Sequence, residues 1–145
     1  MELLRIHTLE SLDWIPILTA SRTERLQLVQ RLLDDFNSNL NRFDKAGELL
    51  LVQVERKVVT GVCGLNREPE VSLQRSGRVR RLYIDPAYRN RGLASGLIER
   101  IILLGRDYFS SLTVNCGSLP VGPFYERFGF FPIEAPGITH MLALE

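Results

Sequence analysis

Arg89-Asn90-Arg91-Gly92-Leu93-Ala94 is the stretch of this chain best suited to hold an anion. It lies between an extended run stopped by Asp85-Pro86 and an apolar helical pattern beginning near Leu93, so it sets backbone N–H groups at a helix start. The first N–H groups of a helix lack intrahelical partners and the aligned peptide dipoles make that end positive, so a phosphate docks there. Gly92 has no Cβ, which lets a phosphate approach the main chain and permits a turn that other residues resist. Ala94 keeps the same wall low, and Arg89 and Arg91 add charge at the rim in the forked geometry that suits phosphate. No Lys-Ser/Thr pair follows the glycine, which argues against a nucleoside-triphosphate loop with its magnesium.

Thiol and imidazole chemistry has fewer parts to draw on. Cys63 and Cys116 are the only cysteines, and their settings, Gly-Val-Cys-Gly and Val-Asn-Cys-Gly, match neither a metal knuckle nor a CxxC redox pair. Two free thiols and no metal are expected. A nucleophilic cysteine needs a histidine beside it, and the chain offers only His7 and His140. His140 falls in the last strand-like run with no partner identifiable, so it reads as a packed or surface imidazole.

The 145 residues carry 18 basic and 17 acidic side chains, a formal charge of +1. No overall field therefore draws the protein to nucleic acid or to an anionic membrane. A hydrophobic share of 45% fits one globular domain, long enough to bury a core without staples. No apolar run approaches the ~20 residues that span a bilayer, and Met1-Glu2-Leu3-Leu4-Arg5 lacks a signal-peptide core. A cytoplasmic protein without a membrane partner is expected.

The elements that must position the phosphate turn follow from hydrophobic period. Leu4 to Leu9 alternates as a first strand. Ser21-Arg22-Thr23-Glu24 fits a capping box that opens a helix, and an apolar stripe from Leu26 through Leu40 to Phe43 continues it, as one helix or as a hairpin broken near Asn37-Ser38-Asn39. Glu48 to Val54 and Lys57 to Cys63 read as an antiparallel hairpin turned at Glu55-Arg56-Lys57. Asn66 to Gly77 is a polar loop that can carry a strand extension, and Arg78 to Asp85 is the next strand. Asp85 belongs to the turn that ends it, and Arg78, Arg80 and Arg81 form either its wet face or a basic patch for an acidic substrate. Leu93 to Tyr108 keeps a helical period, Ser111 to Asn115 is a short strand, and Phe124 to Phe128 a brief helix closed by Gly129. Phe124, Phe128, Phe130 and Phe131 are expected in the core. A final strand runs from Ile138 to Leu144 after the turn signals Pro132, Pro136 and Gly137. The order β-α-α-β-β-β-α-β-α-β-β makes an α/β chain with a mixed (α+β) sheet flanked by helices.

That order, with Val79 to Ala94 at its centre and Phe124-Tyr125-Glu126-Arg127-Phe128-Gly129-Phe130 beyond it, closely resembles the GNAT superfamily of N-acetyltransferases. The family's coenzyme A signature, Arg/Gln-x-x-Gly-x-Gly/Ala, is filled by Arg89, Gly92 and Ala94, and the second stretch looks like its Phe-Tyr-Glu-x-x-Gly-Phe element. The resemblance implies the acyl-CoA N-acyltransferase fold as a single domain over residues 1–145. It also implies acetyl-CoA as cosubstrate, and direct attack by a primary amine on a small molecule or peptide.

Carried over by position, the backbone of Leu82, Tyr83 and Ile84 would pair with the pantetheine arm as an added strand pairs with a sheet edge. Amides from Asn90, Arg91, Gly92, Leu93, Ala94 and Ser95 would hold the pyrophosphate, with Arg89 at the rim. Tyr125 would act as general acid on the leaving thiolate, and a backbone N–H near Leu82 would face the oxyanion where the fourth and fifth strands splay. Where some relatives carry a glutamate on the fifth strand this chain has Thr113, and Ser118 replaces an asparagine that contacts coenzyme A. Glu68 and Glu70 are the remaining acidic candidates for the base. These departures motivate an alternative, a non-catalytic acyl-CoA sensor or docking module. The residues are compatible with a monomer or a homodimer. If the third and fifth strands flank the fourth, Cys63 and Cys116 stand ~10 Å apart, beyond disulfide reach.

Overall fold

Arg56 and Lys57 both take positive φ, 50° and 68°, in the computed structural model, which describes residues 1–69 and 75–144. Two such residues make the type I′ turn whose twist matches that of antiparallel strands. They join β2 (Leu49–Glu55) to β3 (Val58–Arg67). Leu49 and Leu51 enter one core and Leu50 and Val52 another, so the strand is buried on both faces and reads as a continuous apolar run.

Around this hairpin lies a seven-stranded sheet in the order β1-β2-β3-β4-β5-β7-β6. The remaining strands are β1 (Glu2–Ile6), β4 (Ser76–Ile84), β5 (Ser111–Val114), β6 (Phe131–Ala135) and β7 (Ile138–Ala143). Every pairing is antiparallel except β4 with β5. Helices α1 (Ile15–Thr23) and α2 (Leu28–Asn37) cover one face through Ile17, Val29, Leu32 and Phe36. On the other, α3 (Leu93–Gly105) and α4 (Gly122–Glu126) bury Leu97, Ile98, Ile101 and Tyr125. The element order expected from sequence is the one observed.

Several boundaries move, each for a physical reason. Ser21 to Glu24 closes α1 instead of opening a helix: Pro16 sits in the first turn, and the Ser21 hydroxyl donates to the Leu26 carbonyl at 2.8 Å. The helical hairpin therefore breaks at Glu24–Gln27, where Arg25 takes φ 60°, and α2 stops at Asn37, leaving Leu40 exposed. Both ends of the expected polar loop are strand, since β3 runs to Arg67 and β4 begins at Ser76. Pro132 lies inside β6, an edge strand, where a missing N–H is tolerated. Phe131 on that edge is 46% exposed and is not core. Cys63 and Cys116 are free, on opposite sides of β4.

Gly64 makes room for Phe43, which closes the α2 side of the sheet: a Cβ there would stand 2.3 Å from the ring's Cε1. A rigid ring cannot give by that much, so Gly64→Ala is expected to destabilise the protein by ~1–3 kcal/mol. Urea denaturation reads the loss, and Phe43→Leu in the same chain should recover part of it.

Candidate active site

The parallel pairing of β4 with β5 runs from Ser76↔Ser111 to Val79↔Val114 and stops. β4 continues to Ile84 while β5 has ended. Between Gly64↔Arg80 and Val62↔Tyr83 the β3–β4 register slips by a bulge, with Arg81 at φ 61°, and a bulge bends and twists its strand. The β5-facing edge of β4 beyond Val79 is thus left to a cavity of about 810 Å³, within the ~300–1,000 Å³ usual for cofactor and small-molecule sites.

One end of the cavity is the glycine turn that the sequence marks as a candidate phosphate site. Asn90 has φ 65°, and Gly92 is the helix N-cap in left-handed geometry at φ 77°, with no side chain capping the amides of α3. A Cβ on Gly92 would meet nothing within 4 Å, so the space before the turn is open. Asn90, Gly92, Leu93, Ala94 and Ser95 line the cavity with Leu82, Tyr83 and Ile84. These residues fit a pyrophosphate followed by an extended arm along β4. Arg91 does not line it; its guanidinium stacks on Tyr88 at 5.1 Å.

Arg89 lines the cavity but has its hands full. It makes a two-pronged ion pair with Glu24, at 3.0 and 2.7 Å, donates through Nε to the Ile84 carbonyl and lies over the Tyr83 ring. Tyr83 donates its hydroxyl to the same carboxylate. The arginine expected to grip phosphate thus straps the α1–α2 corner to the phosphate turn. Its guanidinium, with the Tyr83 hydroxyl, holds the Glu24 carboxyl below its ordinary 4.5. Asp85 caps its own turn, accepting from the Ala87 N–H at 3.0 Å.

At the other end Tyr125 lines the cavity, 4% exposed, with edge-on contacts to Phe124 and Phe130. Burial, with the Cys63 and Cys116 sulfurs nearby, pushes its hydroxyl well above the ordinary 10. Glu68 is no solvated loop charge: its side chain is wholly buried, accepting from Arg78 Nε at 2.7 Å and Nη2 at 3.2 Å and from the Thr113 hydroxyl at 2.7 Å. A carboxylate just past the end of β3 is thus bound to Thr113 on β5. Glu70 lies outside the described residues. Ser118 is exposed and does not line the cavity. Arg78, Arg80 and Arg81 are half-buried and line it; Arg81 pairs with Asp35 at 3.6 Å.

His140 has partners that sequence reasoning missed. Nε2 is 3.0 Å from a Glu126 carboxylate oxygen, and Nδ1 is 2.9 Å from the Thr139 hydroxyl and 3.7 Å from Cys116 Sγ. The period of β7, which sends His140 to the same face as Ile138 and Leu142, was the one available signal.

The comparisons with known proteins agree with this geometry. The family model for the acetyltransferase (GNAT) domain matches residues 45–132. The chain belongs to the GNAT acetyltransferase family. A solved structure from Exiguobacterium sp. 255-15, assigned to the acetyltransferases, is similar over 98% of this chain and 92% of its own, at 27% identity and a TM-score of 0.87. A GNAT-family acetyltransferase from Staphylococcus aureus Mu50 shares the fold at 15% identity and a TM-score of 0.73, over 99% of this chain and 100% of its own. So does a Salmonella typhimurium protein solved with its cofactor acetyl-CoA, at 15% identity and 0.70, over 99% and 94%. No curated protein matches the sequence. Among the described residues no cluster of His, Cys, Asp and Glu could hold a metal. No helix among them is long and apolar enough to cross a membrane.

The Glu24 strap sets an acid limb. A carboxyl held below its unfolded value contributes stability above that value and loses it as pH falls through the folded one. Thermal unfolding should therefore show stability falling below pH 4.5, and less steeply in Glu24→Gln. Equal slopes in both proteins would show that the strap does not contribute.

Proposed function

We propose that this GNAT protein is an N-acetyltransferase that moves the acetyl group of acetyl-CoA to a primary amine of a small molecule or peptide, by direct attack in a ternary complex. The observation that carries the reading is the bare edge of β4 opening into one cavity with the uncapped helix start at Gly92 and the Tyr125 hydroxyl. Backbone groups of Leu82 to Ile84 pair with the pantetheine arm. Amides from Asn90 to Ser95 take the pyrophosphate. The thioester then lies in the gap between β4 and β5, and a backbone N–H near Leu82 donates to the carbonyl oxygen as negative charge develops on it.

Alignment does most of the work in such a reaction. Tyr125 returns a proton to sulfur, a role its environment favours because the hydroxyl stays protonated well past the ordinary 10. The incoming ammonium must lose a proton first, and that step falls to Glu70 or to water leading from the cavity. Glu68, shielded behind Arg78, serves to hold that guanidinium at the acceptor end. The alternative, a non-catalytic acyl-CoA sensor, draws support from the sequestered Thr113 and the exposed Ser118.

Calorimetry with acetyl-CoA tests the first half: binding is expected, weakened roughly tenfold or more in Gly92→Asp, where a carboxylate meets the pyrophosphate. No binding, or equal binding by both proteins, would sink the assignment of the cavity. Thiol release with a panel of amines tests the second, since a sensor binds without releasing thiol. Tyr125→Phe should lower turnover by ~10²-fold or more while sparing acetyl-CoA affinity; unchanged turnover removes Tyr125 from the mechanism. With the native tyrosine, the rate should show no loss at pH 10 from its ionisation.

A further inference from the structure

Cys116, His140 and Glu126 come from the end of β5, from β7 and from α4, and they meet in a line. Cys116 Sγ is 3.7 Å from His140 Nδ1, and His140 Nε2 is 3.0 Å from Glu126 Oε2. This is the order of a cysteine nucleophile, its base and the acid that orients the base. Cys116 also lines the cavity, as does Tyr125, whose hydroxyl feels the Cys116 sulfur. Room for the imidazole depends on Gly122, where a Cβ would press to 3.3 Å from both Cε1 and Nε2.

Thr139 suits the imidazole in either protonation state. Its hydroxyl oxygen is 2.9 Å from Nδ1 and 3.2 Å from the Val114 carbonyl, and it accepts from the Cys116 N–H at 3.0 Å. With Nε2–H donated to Glu126, the Nδ1 lone pair faces the thiol and the threonine hydroxyl can donate to it. Once Nδ1 is protonated, that N–H donates to the threonine oxygen, whose own proton turns to the Val114 carbonyl. Neither state strands a buried donor.

We propose that Cys116 is a covalent acyl site, taking the acetyl group as a thioester when no amine is bound; the proposal rests on the cavity being the acetyl-CoA site. His140 Nδ1 takes the thiol proton and Cys116 sulfur bonds the acetyl carbonyl carbon. The donor's C–S bond breaks with its electron pair on the coenzyme A sulfur, which receives the proton back from Nδ1. One thioester is exchanged for another, so the step is reversible, and an amine can still take the acetyl group from Cys116. Glu126 is a positioning residue, acting through the imidazole. Cys63 is the internal control, fully buried, with its thiol pushed up by burial.

The test is intact-protein and peptide mass measurement after incubation with acetyl-CoA, and in a parallel arm with p-nitrophenyl acetate as a small acyl donor. One acetyl group on Cys116, removed by neutral hydroxylamine, is expected in both arms. It should be lost in Cys116→Ser, retained in Cys63→Ala, and formed ~10²-fold more slowly in His140→Ala. Glu126→Ala should slow it and Glu126→Gln, whose amide oxygen can still accept from Nε2, should restore most of the rate. Labelling by the small donor alone, with no acetyl-CoA binding by calorimetry, would overturn the cofactor assignment and leave the triad standing. Acetyl-CoA binding with no thioester on Cys116 in either arm, or labelling as fast in His140→Ala, would overturn the triad.

Discussion

The parting of β4 from β5 is the constraint on which the rest of the molecule turns. Backbone N–H and C=O groups must find partners wherever water is excluded, yet the sheet leaves one strand edge unpaired near its middle. The bulge at Arg81 bends β4 out of register, and the early end of β5 completes the separation. A sheet interrupted in this way needs something strand-like to complete it. In the reading proposed above, an extended pantetheine arm supplies the amides to do so, with its phosphate end toward the uncapped helix start at Gly92.

Two networks hold the walls of that opening apart. On the α1–α2 side, Glu24 gathers Arg89 and the Tyr83 hydroxyl and fixes the corner against the phosphate turn. At the other side, Glu68 holds Arg78, which also donates to the Gly137 carbonyl, tying β3 and β4 to the β6–β7 connection. Both are charged pairs satisfied by more than one hydrogen bond, the arrangement in which a shielded carboxylate is least costly.

Elements with a strong period were legible before any coordinates: the β2–β3 hairpin, α3 behind its glycine turn, and the order of strands and helices all matched. The α1–α2 corner was not, because Ser-x-x-Glu has the same composition whether it opens a helix or closes one. What decided it was Pro16 upstream and the left-handed Arg25 downstream. Among site residues, the glycine turn before α3 was legible because its geometry is a local backbone property. The pairings of Arg89 and Glu68 were not, since each has its partner on a distant element. His140 shows the same limit: three side chains that meet in space share no local pattern.

The β2–β3 hairpin has a consequence for how the molecule can change. Its turn is local, its strands are buried on both faces, and it pairs with both β1 and β4. Contacts so close in sequence close at little entropic cost, so this half is favoured to form early and to resist local opening. The cavity lies at the far side of β4, among short strands and loops that contribute little to that nucleus. Substitutions there can reshape the cavity without drawing on the part of the fold that keeps the chain folded, which leaves its lining free to drift while the scaffold stays put.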